Sequence, residues 1–337
     1  MMKNRIFKIA GESNSRSGAF ASHGLATRKF SMWPATLLLL AVCVQAAGTD
    51  CSAATTENGN TDDYILTATD DWPIHVTYYQ SSKGKESPIV VLLTAANGDP
   101  KSAVTRHIWK EMATYLQKRD FAVLAVDLRK HGDSLRPEKG PTAKRQKILS
   151  VDYRNMVVGD MEAVKAFLLE RHEAGELNIR KLAIVSSGAS CLVGAAFALN
   201  DWNKRPWQDA AQLTDRTPRG QDVRAIVMFS PRRTRGFNST KILKPLSASQ
   251  WGIAFRIYHS SKDDAEEKTA KRLFRVLDLK GEEYDELRSI EAAPASGEEF
   301  LTGKIRKRVQ EDVASFLKAN LVELPTPWRS RKSPLDE

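Results

Sequence analysis

The residues best placed to do chemistry form a turn that lacks a reactive atom. Lys181-Leu182-Ala183-Ile184-Val185 is an apolar strand that runs into Ser186-Ser187-Gly188-Ala189-Ser190-Cys191. An Ala-rich helix follows through Gly194, Ala195, Ala196 and Ala198. A strand, a tight turn of small residues and a helix lift a nucleophile above a parallel sheet, where its oxygen can attack an acyl carbon. The place for that nucleophile falls on Gly188, which has no side chain to offer. Such chemistry also needs a histidine base and an acid to orient it. The last histidine of the chain is His259, and 78 residues follow it.

The elements that must hold this turn recur along the chain. Strands are expected at Tyr64–Ala68, Ile74–Tyr79, Ile89–Leu93, Ala122–Val126, Leu182–Val185, Ala225–Phe229, Ala254–Tyr258 and Leu287–Glu291. The third to seventh are short apolar runs, as strands buried on both faces are. The first two alternate more and are joined through Asp70-Asp71, which predicts an antiparallel hairpin. Apolar residues at helical spacing lie between them, as in Trp109, Met112, Ala113 and Leu116, or Met161, Val164, Phe167 and Leu168. Strands alternating with helices predict a mostly parallel sheet covered on both faces.

Composition sets the remaining bounds. Hydrophobic content of 42% and charged content of 27% are those of a globular chain rather than a disordered one. Residues 1–47 carry a basic region, an apolar run from Ala35 to Val44 and small residues at Ala46-Ala47-Gly48. They read as a secretory signal peptide, or as an anchor if uncleaved, and imply export to a periplasm, a cell envelope or the exterior. Residues 48–61 read as a flexible linker, 62–322 as one domain and 323–337 as a loose tail rich in Pro and charge. Net charge is +10; six of the 51 bases and one of the 41 acids lie in 1–47, so the remainder carries +5. That modest bias is no nucleic-acid footprint. Cys51 and Cys191 would remain after cleavage, too few for a disulfide framework, and Cys191 reads as a buried thiol. There is no metal-ligand spacing and no phosphate loop, so no cofactor or metal is expected.

The order of these pieces resembles the α/β-hydrolase superfamily (esterases, lipases, dienelactone hydrolases). Asp127-Leu128-Arg129-Lys130-His131-Gly132-Asp133-Ser134 is similar to the D-x-R-G-H-G-x-S turn of that family, with Lys130 where Gly is usual. Pro88–Leu93, Ala225–Phe229 with Ser230-Pro231, and Phe255–Ser261 with Lys262-Asp263 resemble its third, sixth and seventh strands. The resemblance implies an eight-stranded α/β-hydrolase fold without a large lid domain.

It also implies a catalytic triad, carried over position by position. The elbow G-x-S-x-G falls on Ser186-Ser187-Gly188-Ala189-Ser190, the acid on Asp263 with Asp264 as fallback, and the histidine on Ser296. The oxyanion loop falls on Thr94, Ala95 and Ala96, joined by the Ala189 amide after the elbow. Ser187 is the fallback nucleophile; His107, His131 and His259 are the candidate relocated bases. Two basic loops leave strand ends. One holds Arg129, Lys130, Arg136, Lys139, Lys144, Arg145 and Lys147; the other Arg232, Arg233, Arg235, Lys241 and Lys244. The fold would place Arg232 and Arg233 near the crevice mouth, where they suit an anionic ligand such as a carboxylated or sulfated saccharide. The expected function is a degenerate, ligand-binding member of the superfamily. An esterase with rearranged residues and a structural cell-envelope protein remain the alternatives.

Overall fold

A computed structural model of the chain describes residues 7–8, 60–97, 104–136, 147–278 and 287–336. The expected signal peptide (Phe7 and Lys8 aside), nearly all of the linker, Cys51, Lys139, Lys144 and Arg145 lie outside the described residues.

The strands are β1 (Phe7–Lys8), β2 (Thr61–Thr67), β3 (Pro73–Tyr79), β4 (Pro88–Leu93), β5 (Ala122–Val126), β6 (Asn178–Ser187), β7 (Val223–Phe229), β8 (Ala254–Ser260) and β9 (Arg288–Ala293). They form one open sheet in the order β1-β2-β3-β5-β4-β6-β7-β8-β9. The eight strands expected from sequence are β2 to β9; the two-residue β1 is an addition at the edge. β2 and β3 pair antiparallel as a hairpin, and every pairing from β5 through β9 is parallel.

The helices are α1 (Lys110–Gln117), α2 (Ser150–Asn155), α3 (Met161–Glu173), α4 (Ser190–Trp202), α5 (Ser239–Leu246), α6 (Asp264–Leu277), α7 (Glu299–Thr302) and α8 (Arg306–Leu317). The strand alternation sorts them onto two faces. Ile89, Val91 and Leu93 share one core with α2 to α6, while Val90 and Leu92 share the other with α1, α7 and α8. Each such buried aliphatic contributes about 1.5–3 kcal/mol, which is why β4 and β5 are apolar throughout. Only residues 203–222, with a single short 3-10 turn, separate α4 from β7, so no lid domain covers this part of the sheet.

The stretch from 323 onward departs from the loose tail expected of it. Asn178 and Arg180 donate to the carbonyls of Thr326 and Pro327, at 3.0 and 2.8 Å. The Trp328 indole donates to His172 O at 3.1 Å, and the Arg331 amide donates to the Glu173 carboxylate at 2.6 Å. The reason is electrostatic. Lys165 is buried between Asp201, at 2.6 Å, and Asp222. Two carboxylates around one ammonium leave a buried negative charge, and the Arg331 guanidinium neutralises it at Asp222. Pro and charge density read as disorder because the sequence does not show this acceptor.

Candidate functional site

The elbow forms where the sequence places it. β6 ends at Ser187, Gly188 turns the chain with φ +60°, and α4 begins at Ser190. The left-handed angle is open to glycine at no steric cost. Gly188 N donates to Phe229 O at 2.9 Å, which ties the turn to the end of β7. The Ser190 hydroxyl lies 2.7 Å from both Thr94 O and Ser187 O, so it is engaged with backbone.

The space above Gly188 is filled by Asn97, from the loop after β4. A Cβ built on Gly188 would collide with the Asn97 carboxamide. The same carboxamide oxygen accepts from the Ala189 amide at 3.0 Å. That amide is the donor that would steady an oxyanion in an elbow of this type. The exposed Asn97 side chain thus rests in the volume a nucleophile would need, from which only its own rotation could clear it, and holds one donor of the anion hole. Of the other oxyanion-loop residues, Thr94 bonds through its hydroxyl to Val126 O at 3.0 Å, and Ala96 O accepts from the Tyr153 hydroxyl at 2.7 Å. Ala95 is buried in the same loop.

No histidine ring nitrogen among the described residues bonds a serine hydroxyl. Ser187 is buried and its hydroxyl has no partner. His107 is exposed and faces Asp133 at 3.9 Å. His259 is buried with Nδ1 on Ser260 O at 3.0 Å. His131 bonds Arg129 O through Nδ1 at 2.9 Å, and its Nε2 is buried without a partner. Cys191 is fully buried, and burial pushes its thiol up to about 12, far from a reactive thiolate.

Burial holds His131, His75 and His172 below the ordinary histidine value of 6.5. The folded chain therefore takes up these protons at lower pH than the unfolded chain does. Stability from this source is whole above about pH 6.5 and is lost as pH falls below it. Urea midpoints at pH 7.5 and 5.5 should drop accordingly, with a shallower drop in His131→Asn. An unchanged drop would remove His131 from the account.

The acid and base positions lie together, with one change of residue. Asp263 caps α6, its carboxylate accepting from the amides of Ala265 and Glu266 at 2.9 and 3.1 Å, and Asp264 is exposed in the first turn. The carboxylate that reaches Ser296 is Glu266. It accepts from the Ser296 hydroxyl at 2.5 Å, the Ser230 hydroxyl at 2.7 Å and the Ser260 amide at 2.6 Å. Ser230 in turn accepts from Gly297 N at 2.6 Å. An acid bonded to the residue in the base position is the geometry of a triad's outer pair, here with serine in place of histidine. Neither Asn97 nor Glu266 stood out in the sequence. Glu266 sits in the first turn of a helix, where its carboxylate reads as surface charge.

The turn after β5 holds the frame without entering the site. Asp127 is buried and accepts from the Arg106 amide at 2.7 Å and its guanidinium at 3.0 Å. Gly132 has φ +50°, and a Cβ there would strike the Asp127 carboxylate. Lys130, where the related turn carries Gly, also has a positive φ of 65°, and its ammonium meets Asp152 at 2.8 Å.

Arg232 and Arg233 do lie beside the elbow. The Arg232 amide donates to Gly188 O at 3.1 Å, and the Thr234 hydroxyl to Ala189 O at 2.8 Å. A larger cavity of about 680 Å³, lined by Pro88, Phe121 and Lys181, lies at the opposite end of the strands. We place the site at the elbow, because ligands of open α/β sheets bind outside the carboxyl ends of the strands. Among the described residues no cluster could hold a metal ion, and no helix is long and apolar enough to cross a membrane.

No protein-family model and no curated protein matches this sequence. Solved structures do. A dienelactone hydrolase from Anabaena variabilis aligns with TM-score 0.52 and 13% identity over 77% of this chain and 99% of its own. Esterase 2 of Thermogutta terrifontis, phosphoramylated by tabun, aligns with TM-score 0.51 and 12% identity over 78% and 97%. A protein of unknown function from Agrobacterium tumefaciens, described as of α/β-hydrolase type, aligns with TM-score 0.50 and 15% identity over 78% and 100%. At such identity the likeness shows the fold alone: the chain has the α/β-hydrolase fold.

Proposed function

We propose that this α/β-hydrolase-fold protein is catalytically degenerate, and that it binds an anionic ligand or partner at the mouth of the former active-site crevice. One observation carries the reading: the Asn97 carboxamide occupies the space of a side chain at position 188 and holds the Ala189 amide. Ser296 in the base position supports it, since a hydroxyl bonded to Glu266 is no base at neutral pH. Losing nucleophile and base together leaves only the weak catalysis of anion hole and binding. Arg232 and Arg233 beside the elbow, which make no ion pair among the described residues, supply the reason to favour an anion.

A fluorophosphonate serine probe should label no serine of the folded chain, as read by intact mass with a cooperative melt as the folding control. Stoichiometric labelling of Ser187 would overturn the reading and establish an esterase with rearranged residues. If no anion binds and no serine labels, the structural cell-envelope role is the reading left standing. Export is part of the proposal. Pairing of Phe7–Lys8 with β2, and of Lys8 with Asp62 at 2.8 Å, is lost if residues 1–47 are removed. The mass of the protein from its native host decides between a cleaved leader and a retained anchor.

A further inference from the structure

We propose that the cationic basin beside the elbow is a two-lobed site for a sugar-sized ligand carrying two tetrahedral oxyanion groups, as sulfate or phosphate esters. The inference rests on the reading just given, that the crevice mouth binds an anion, and it specifies the anion.

The basin lies between the β7–α5 connection, the start of α5, the first turn of α4 and the outer face of α6. It consists of two adjoining depressions of about 170 and 360 Å³. Both are lined by Leu192, Arg233, Ser239 and Arg272. The smaller adds Arg232, Lys268 and Thr269; the larger adds Arg235 and Thr240, with Asn238. Five cations therefore line the two lobes, and no carboxylate does. None of the five makes an ion pair among the described residues. Arg106, Arg129 and Arg256, by contrast, each meet a carboxylate, on Asp127, Asp160 and Asp312. Lys268 has the neighbouring Glu267 carboxylate within electrostatic reach, but the five cations outnumber it, so they repel one another and an anion relieves that repulsion.

The arrangement also sets the number of anionic groups. Arg233 and Arg272 are common to both lobes, while Arg232 with Lys268 and Arg235 stand at opposite sides. One tetrahedral anion in either lobe would leave the far cations uncompensated. Two anions joined by a sugar ring would meet all five, with planar guanidinium forks suited to paired oxygens. The leading loop is held in place before any ligand arrives. The Arg232 amide and the Thr234 hydroxyl are bonded to the elbow carbonyls of Gly188 and Ala189, so the loop backbone is fixed and binding has only the exposed cationic side chains to order.

The test is calorimetric titration of the full chain at fixed ionic strength with four probes: fructose 1,6-bisphosphate, a disulfated heparin disaccharide, glucose 6-phosphate and inorganic phosphate. At least one of the two-anion probes should bind about tenfold or more tightly than both single-anion probes. The preferred probe then identifies phosphate or sulfate esters as the source. Arg233→Glu and Arg272→Glu should each abolish binding. Arg232→Glu and Arg235→Glu should each reduce the two-anion probe to the affinity of a single-anion one. Lys307→Glu, an exposed charge on α8, should change nothing, and melts of every variant exclude misfolding. Equal binding of one- and two-anion probes, still lost in Arg233→Glu, would overturn the two-lobed site and leave the anion-binding reading standing. Absence of binding by all four probes would overturn both. Equal weakening by Lys307→Glu would reduce the basin to general charge attraction and overturn the proposal.

Discussion

Asn97→Ala/Gly188→Ser/Ser296→His should hydrolyse a p-nitrophenyl ester on the order of 10²-fold faster than the parent chain, the low end of what a positioned base supplies. Gly188→Ser alone should gain nothing. The serine side chain and the Asn97 carboxamide claim the same space, and Asn97 also holds the Ala189 amide. Forcing serine into φ +60° costs about 1–3 kcal/mol, which the single variant shows as a lower melting point without activity. Removing Asn97 clears the space and frees the amide for a tetrahedral intermediate. Histidine at 296 inherits Glu266, already aimed at that position from 2.5 Å in the case of Ser296 Oγ. Fluorophosphonate labelling at position 188 reads the result independently of turnover. Gly188→Ser alone matching the triple variant would show that Asn97 is no obstacle, and the account of the site would lose its main support.

Lys165→Met should destabilise the fold by about 3–5 kcal/mol, because it strands Asp201 and Asp222 as buried charges, with Arg331 at Asp222 and the more distant Arg224 toward Asp201 left to offset them. Urea unfolding measures this directly. Lys165→Met/Asp201→Asn/Asp222→Asn should recover most of the loss, since the cost lies in the unpaired charges rather than in the absent ammonium. Arg331→Ala should cost less than Lys165→Met and should also release the Trp328 segment, seen as tryptic cleavage after Arg329. Full stability of Lys165→Met would mean that water reaches these carboxylates.

The sheet was legible because its evidence is local. β4 to β8 are apolar runs, and each is long enough to declare itself without knowledge of its neighbours. The elbow was legible for the same reason, as a strand, a turn of small residues and a helix in sequence. What fills the elbow was not. Asn97 meets Ala189 across 92 residues, and nothing in the Thr94–Asn97 stretch announces where its side chain goes. The acid misled for a different reason. Asp263 stands in the acidic turn, but a turn aspartate ahead of a helix finds amides to cap, and Glu266 one turn later is free to point inward. The segment from 323 onward was misread because its partners, His172, Glu173 and Asp222, are distant in sequence and its own composition resembles that of a linker.

The docking of Arg331 has a consequence for the order in which the chain can fold. Its contacts with Glu173 and Asp222 close some of the longest loops in the protein, 158 residues in the case of Glu173. During synthesis, α3, β6 and β7 leave the ribosome well before Arg331 exists, so the Lys165 cluster must wait with a surplus negative charge. Burial of that cluster is then a late event, and pairings of high sequence separation are slow to begin with. A nascent chain held open in this way keeps its apolar strands exposed for longer. Its dependence on chaperones should therefore track the integrity of residues 326–331 more closely than that of the elbow.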